Sequence, residues 1–198
     1  MKNNKKIKIH VKNNHWAPGS FPTDAEGEKN FTITKEHLDE ALKNYPEIKE
    51  KVEIFVDWDE DNFKTSILNS DILLAWSFPT SDLKKVAPNL KWIHVISAGV
   101  EHLHPLDWMF DDLVLTNSSG AHAKKAGEYG LMSILMLQNH MTKIITNQKD
   151  KKFVSLFSNP VAGKTVVLVG TGTLGSSMAK LVAPLGANII GVNKRGRM

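Results

Sequence analysis

The residues in this chain with the clearest chemical spacing are Gly170, Gly172 and Gly175, a G-x-G-x-x-G series interleaved with Thr171, Thr173 and Leu174. They follow the apolar run KTVVLVG and open LGSSMAKLVAPLG, which has the period of a helix, before a second apolar run, NIIGVNK. Strand, glycine turn, helix and strand in that order form the setting in which such a series binds a dinucleotide. Gly170 permits the tight turn, Gly172 lets the backbone approach a pyrophosphate, and Gly175 lets helix and strand pack closely. The first N–H groups of the helix then face the phosphates.

The end of the second strand speaks to which nucleotide is held. An NAD-specific site places a carboxylate about 20 residues beyond the glycines, where it accepts from the ribose 2′-OH. Asn193 stands there, followed by Lys194 and Arg195. An amide does not repel a 2′-phosphate, and the two cations can pair with one. The expected cofactor is NADP(H), with NAD possible.

These residues need a scaffold, and the pattern along the chain describes one. Apolar, β-type runs at residues 7–11, 52–57, 71–76, 92–97 and 113–117 alternate with helix-period stretches at 35–44, 62–68 and 81–86. Alternation of this kind predicts a parallel sheet with helices on its faces. Ser81 is the expected N-cap of the third of those helices, and Pro88 its stop. A single long helix is expected from His122 through residue 148, and because residues 131–137 are apolar nearly all round, it is expected to be covered on every side. Asn159, Pro160 and Gly163 then read as a linker. The expected organisation is a substrate-binding domain over residues 1–121, an interdomain helix and linker over 122–158, and an incomplete nucleotide-binding domain over 159–198.

Composition excludes several classes. The chain has 198 residues, 41% hydrophobic and 23% charged, with no cysteine, which argues against a disulfide framework or a thiolate metal site. The basic start MKNNKKIKIH lacks the apolar run of a signal peptide, so a cytoplasmic location is expected. The apolar segment at 131–137 is far shorter than the ~20 residues of a membrane span. The net charge of +4 comes from lysines scattered among acids, without interleaved aromatics, so neither nucleic acid nor membrane is an expected partner. Asp57, Asp59 and Asp61 have EF-hand spacing, but Asn62 and Leu68 stand where the glycine and bidentate glutamate belong; these acids are expected to cap the next helix instead. His102 and His104 lack a third metal ligand in register.

Three motifs in order, HVISAGVEHL from His94, LVLTNSSGAHAKKAGEYGLMSILML from Leu113, and the long stretch from Val161 through Arg197, closely resemble the D-isomer-specific 2-hydroxyacid dehydrogenase family. The resemblance implies a flavodoxin-like α/β substrate domain followed by the first βαβ unit of a Rossmann NAD(P)-binding domain. It implies hydride transfer between NAD(P) and a 2-hydroxy or 2-oxo acid, in a cleft between the two domains. SAGVEH resembles the loop whose N–H groups hold the substrate carboxylate, which assigns that role to Ala98, Gly99 and Val100; a glycine turn after a parallel strand suits an anion. Ser77, in AWSFP, is placed at the cleft. The family often has threonine where this chain has Ala123.

In the family a catalytic arginine, glutamate and histidine belong to the second half of the Rossmann domain, beyond the motifs matched here. The chain is therefore expected to be the N-terminal part of such an enzyme, without catalytic residues of its own, and His94, His102, His104, His122 and His140 are not assigned that role. A homodimer is the expectation for the whole protein. The alternative is a catalytically inactive nucleotide-binding or interaction module, comparable to family relatives that act as co-repressors.

Overall fold

The computed structural model describes residues 5–17, 19 and 29–197. The chain divides into two compact units, Met1–Ser118 and Ser119–Met198.

In the first unit, strands β1 (Ile7–Asn13), β2 (Val52–Trp58), β3 (Ile72–Ala75), β4 (Trp92–Val95) and β5 (Val114–Asn117) form one parallel sheet in the order β2-β1-β3-β4-β5. This is the flavodoxin-like order, in which the chain runs first to one side of β1 and then to the other. Helices α1 (Lys35–Lys43), α2 (Pro46–Lys49), α3 (Phe63–Ile67) and α4 (Leu83–Val86) lie in the first three connections, and two 3-10 turns, Glu101–Leu103 and Leu106–Trp108, lie in the fourth. Thr34 begins α1 by accepting from the His37 N–H, while the His37 ring returns to the Thr34 N–H. The core gathers on one face of the sheet, where Phe63 and Ile67 of α3 and Leu83 of α4 close over Leu73, Ala75, Ile93 and Val95. Each of these buried side chains except that of Ala75 contributes about 1.5–3 kcal/mol.

Register places polar groups in that interior as well. His10 pairs with Phe55 and Leu73 across the sheet, and Lys12 with Asp57 and Ala75, so both project to the core face. His10 is fully buried, its Nε2 lying 3.7 Å from Asp57 Oδ2, and among the described residues neither ring nitrogen has a hydrogen-bond partner. Burial lowers the pKa of both His10 and Lys12.

The expected caps differ from those found. Asp82, with a left-handed φ of 54°, precedes α4 in place of Ser81. Asp57 is held by Asn62 Nδ2 at 3.3 Å, and Asp59 turns back to His15. These acids bind side chains and a loop N–H, so the first turn of α3 is left to Asn62, which makes no side-chain cap.

In the second unit, α5 (Ala123–Gln138) and α6 (Met141–Lys149) are followed by β6 (Thr165–Val169), α7 (Thr173–Val182), β7 (Asn188–Asn193) and β8 (Gly196–Arg197). The strand order is β6-β7-β8, with β6 and β7 parallel and β8 antiparallel. The single helix expected from His122 to residue 148 is broken: His140 takes φ 55°, which no helix continues through. The apolar stretch is covered on one side only. Gly127 and Gly130 let α5 lie close to Ser177 and Met178 of α7, whereas Met132, Leu135 and Leu137 are exposed among the described residues.

Candidate functional site

Parallel strands bring their C-terminal ends to one edge, and a ligand crevice forms there at the point where the strand order reverses. In the first unit that point lies between β1 and β3. Asn14, His15 and Trp16 leave β1, Trp76 and Ser77 leave β3, and the segment Ser97, Ala98, Gly99, Val100 leaves β4. Asn14 Nδ2 donates to Ser77 Oγ at 3.2 Å, tying the two exits together. His15 donates its N–H to Asp59 Oδ1 at 2.8 Å, its Nδ1 meets the second carboxylate oxygen, and its ring stacks on Trp58.

In the segment after β4 the carbonyls of Ser97, Gly99 and Val100 are engaged. Ile96 N–H donates to Ala75 O at 3.0 Å, Ser118 N–H to Ser97 O at 2.9 Å, Ser97 Oγ to Gly99 O at 2.6 Å, and Leu103 N–H to Val100 O at 2.9 Å. Among the described residues, the N–H groups of Ala98, Gly99 and Val100 have no acceptor. Consecutive free N–H groups at a turn make an anion-binding concavity. At Gly99 a Cβ would overlap the carboxylate of Glu101, the far end of an exposed side chain that can swing away, so crowding alone does not demand glycine there. Glu101 is exposed and accepts no hydrogen bond from the turn.

The histidines near this edge have other partners. His94 Nδ1 lies 2.9 Å from Thr116 Oγ1 and its Nε2 lies 3.2 Å from Ser118 Oγ, and burial lowers its pKa. His102 Nε2 donates to Trp76 O at 2.7 Å. Asn14, Trp16 and Trp76 were not singled out in the sequence. Their signal is positional, since each lies just past an apolar run that becomes a parallel strand.

In the second unit the glycine loop joins β6 to α7. Gly170 has φ 101°, a conformation open to glycine, and its N–H donates to Val192 O at 2.7 Å on β7. At Gly175 a Cβ would overlap the Gly170 carbonyl oxygen and lie 3.1 Å from its carbon, so the loop closes only because that position is bare. At Gly172 a Cβ would meet nothing within 4 Å, and the backbone faces open space. Among the described residues, the N–H groups of Gly172, Thr173, Leu174 and Gly175 have no acceptor, which is the donor set of a helix N-terminus. Bare backbone on the open side, free donors and the positive end of α7 suit the pyrophosphate of a dinucleotide.

Asn193 ends β7 beside this loop. Its Nδ2 donates to Thr171 Oγ1 at 3.3 Å, and its Oδ1 accepts the Arg195 N–H at 2.8 Å. Its side chain thus links the glycine loop to the turn carrying Lys194 and Arg195, both exposed. Gly191 contributes the room, because a Cβ there would come within 2.6 Å of Thr171 Cγ2.

Residues 131–198 match the model of the D-isomer specific 2-hydroxyacid dehydrogenase NAD binding domain. The hydroxypyruvate reductase of Thermotoga maritima is 25% identical over 164 residues, which are 80% of this chain and 46% of the reductase. The chain thus spans less than half the length of that relative. The crystal structure of a D-isomer specific 2-hydroxyacid dehydrogenase family protein from Aeromonas salmonicida superposes with a TM-score of 0.67 at 21% identity, over 98% of this chain and 56% of that one. An NADPH-dependent glyoxylate/hydroxypyruvate reductase from Sinorhizobium meliloti, solved with NADP and sulfate, gives a TM-score of 0.64 at 21% identity, over 98% and 54%. The resemblance read from the three motifs is borne out, and the α/β fold is the one these dehydrogenases share.

Proposed function

We propose that this chain supplies the substrate-carboxylate turn and the dinucleotide loop of an NAD(P)-dependent oxidoreductase acting on a 2-hydroxy or 2-oxo acid. The observation that carries the reading is the pair of donor sets left without acceptors among the described residues, one at Ala98, Gly99 and Val100 and the other at Gly172, Thr173, Leu174 and Gly175. An acid substrate and a pyrophosphate are the two anions such an enzyme holds. The bound nicotinamide supplies the hydride.

The roles of the residues follow from their chemistry. The N–H groups of Ala98, Gly99 and Val100 hold the carboxylate and fix the orientation of the C2 carbon, and Ser77 lines the same edge. Gly170, Thr171, Gly172, Thr173, Leu174 and Gly175 hold the pyrophosphate. Asn193 sets the turn in which Lys194 and Arg195 take the 2′-phosphate, and the absence of a carboxylate at position 193 removes the repulsion that would select against it. NADP(H) is therefore the preferred cofactor.

Titration of the chain with NADPH and NADH, followed by fluorescence, tests this. NADPH should bind more tightly, and Arg195→Asp should weaken it by about 1–3 kcal/mol, the scale of a hydrogen bond involving a charged group. Unchanged NADPH binding in the variant would overturn the cofactor assignment.

A further inference from the structure

The C-terminal edge of the five-stranded sheet carries an aromatic wall that hydride transfer alone does not call for. Trp76 leaves β3 beside Ser77, and its ring meets Phe31 edge-on with centroids 5.1 Å apart and Trp16 edge-on at 5.8 Å. His102 lies nearly parallel to Trp76 at 5.9 Å. None of these rings belongs to the hydrophobic core, which is filled on the sheet face by Phe63, Phe78 and their aliphatic neighbours. Trp16, Phe31 and Trp76 are half-buried and His102 is exposed, so the wall keeps accessible surface.

Two further observations describe its setting. His102 comes two residues after Val100, and its Nε2 holds the Trp76 carbonyl at 2.7 Å, so the wall and the turn of free N–H groups are fastened as one piece. Trp16 Nε1 and Asn14 Oδ1 are enclosed yet have no hydrogen-bond partner. An enclosed indole N–H ordinarily has an acceptor, and among the described residues it has none.

Resting on the oxidoreductase reading above, we infer that the site selects 2-hydroxy and 2-oxo acids with an aromatic or similarly large apolar side chain. The carboxylate is held at Ala98, Gly99 and Val100, while the side chain covers Trp76 and displaces water from it. An acid of two or three carbons satisfies the same N–H groups but leaves the indole face wet, and loses the ring contact that favours the larger ligand.

The test is a titration of the 198-residue chain with D-3-phenyllactate and with D-lactate, followed by ligand-detected saturation-transfer NMR, with NADPH binding measured separately. Phenyllactate should bind at least about tenfold more tightly than lactate, the factor expected from covering an aromatic face. Phe31→Ala, checked by circular dichroism for an unchanged melt, should reduce that ratio severalfold, as should Trp76→Leu. Equal binding of the two acids, or a ratio indifferent to both variants, overturns the aromatic selection while leaving the carboxylate turn in place. Binding of neither acid overturns the turn's assignment, and this inference with it, whatever NADPH does.

Discussion

Adding one methyl group at Gly175 and one at Gly172 should have different consequences, although the two positions belong to the same loop. In Gly175→Ala the new Cβ overlaps the Gly170 carbonyl oxygen and stands 3.1 Å from the carbonyl carbon, both of them backbone atoms. Neither can rotate away as a side-chain tip would, so the start of α7 must separate from the end of β6. Gly170 is also anchored to Val192 O at 2.7 Å, and shifting it strains the pairing of β6 with β7. Overpacking of this kind typically costs about 1–3 kcal/mol, and backbone partners put this case at the upper end. In Gly172→Ala the backbone sits at φ −73°, which alanine adopts freely, with nothing within 4 Å of the Cβ. Only the weaker N-cap preference of alanine remains, about 0.5–1 kcal/mol. The methyl does, however, occupy the space through which a pyrophosphate would approach. Amide hydrogen exchange in β6 and β7, with an NADPH titration alongside, separates the two outcomes. Gly175→Ala should speed exchange by about 30-fold or more, at 1.4 kcal/mol per factor of ten, and weaken NADPH as a consequence. Gly172→Ala should leave exchange within about fivefold of the parent and still weaken NADPH by about tenfold. Parent-like exchange in Gly175→Ala would refute the close-approach argument, and parent-like NADPH binding in Gly172→Ala would refute the placement of the pyrophosphate.

Burial holds the His10 imidazole below its ordinary value of 6.5, outweighing the opposing pull of Asp57. The unfolded chain protonates first, so this contribution is present above pH 6.5 and is lost as pH falls below it toward the folded-state value. His10→Leu should remove up to about 1.4 kcal/mol per pH unit from the slope of urea-measured stability in that window; an unchanged slope would mean that the ring does not titrate differently on folding. In Gly127→Val a Cβ would stand 2.7 Å from Ser177 Oγ and 3.2 Å from the Ser177 backbone carbon. That variant should lose about 1–3 kcal/mol as α5 is pushed off α7, and a parent-like thermal melt would count against the packing.

How much could be read in advance follows from the range over which each feature is determined. The strands and short helices of the first unit were legible because apolar runs and polar breaks alternate locally, and the glycine loop because its three bare positions answer steric demands within one turn. The break at His140 was not legible, since Asn139 and His140 interrupt neither the charge pattern nor the helical period, and only the backbone reveals the left-handed residue. The caps failed for a related reason: Asp59 found its partner in the segment after β1, 44 residues away, and Asp57 was taken by the Asn62 side chain.

The sequence by itself determined the alternating α/β order, the glycine loop, the amide and cations at the end of β7, and the turn of Ala98, Gly99 and Val100, because each is written in contiguous residues. Only the tertiary structure decided that β1 lies inside the sheet, which buries His10 and Lys12 that a surface strand would have exposed to water. It also brought Asn14 to Ser77, and Trp16 and His102 to Trp76, across separations of more than 20 residues. No local pattern encodes those meetings, for they follow from which strands are neighbours, and strand order is a property of the assembled sheet.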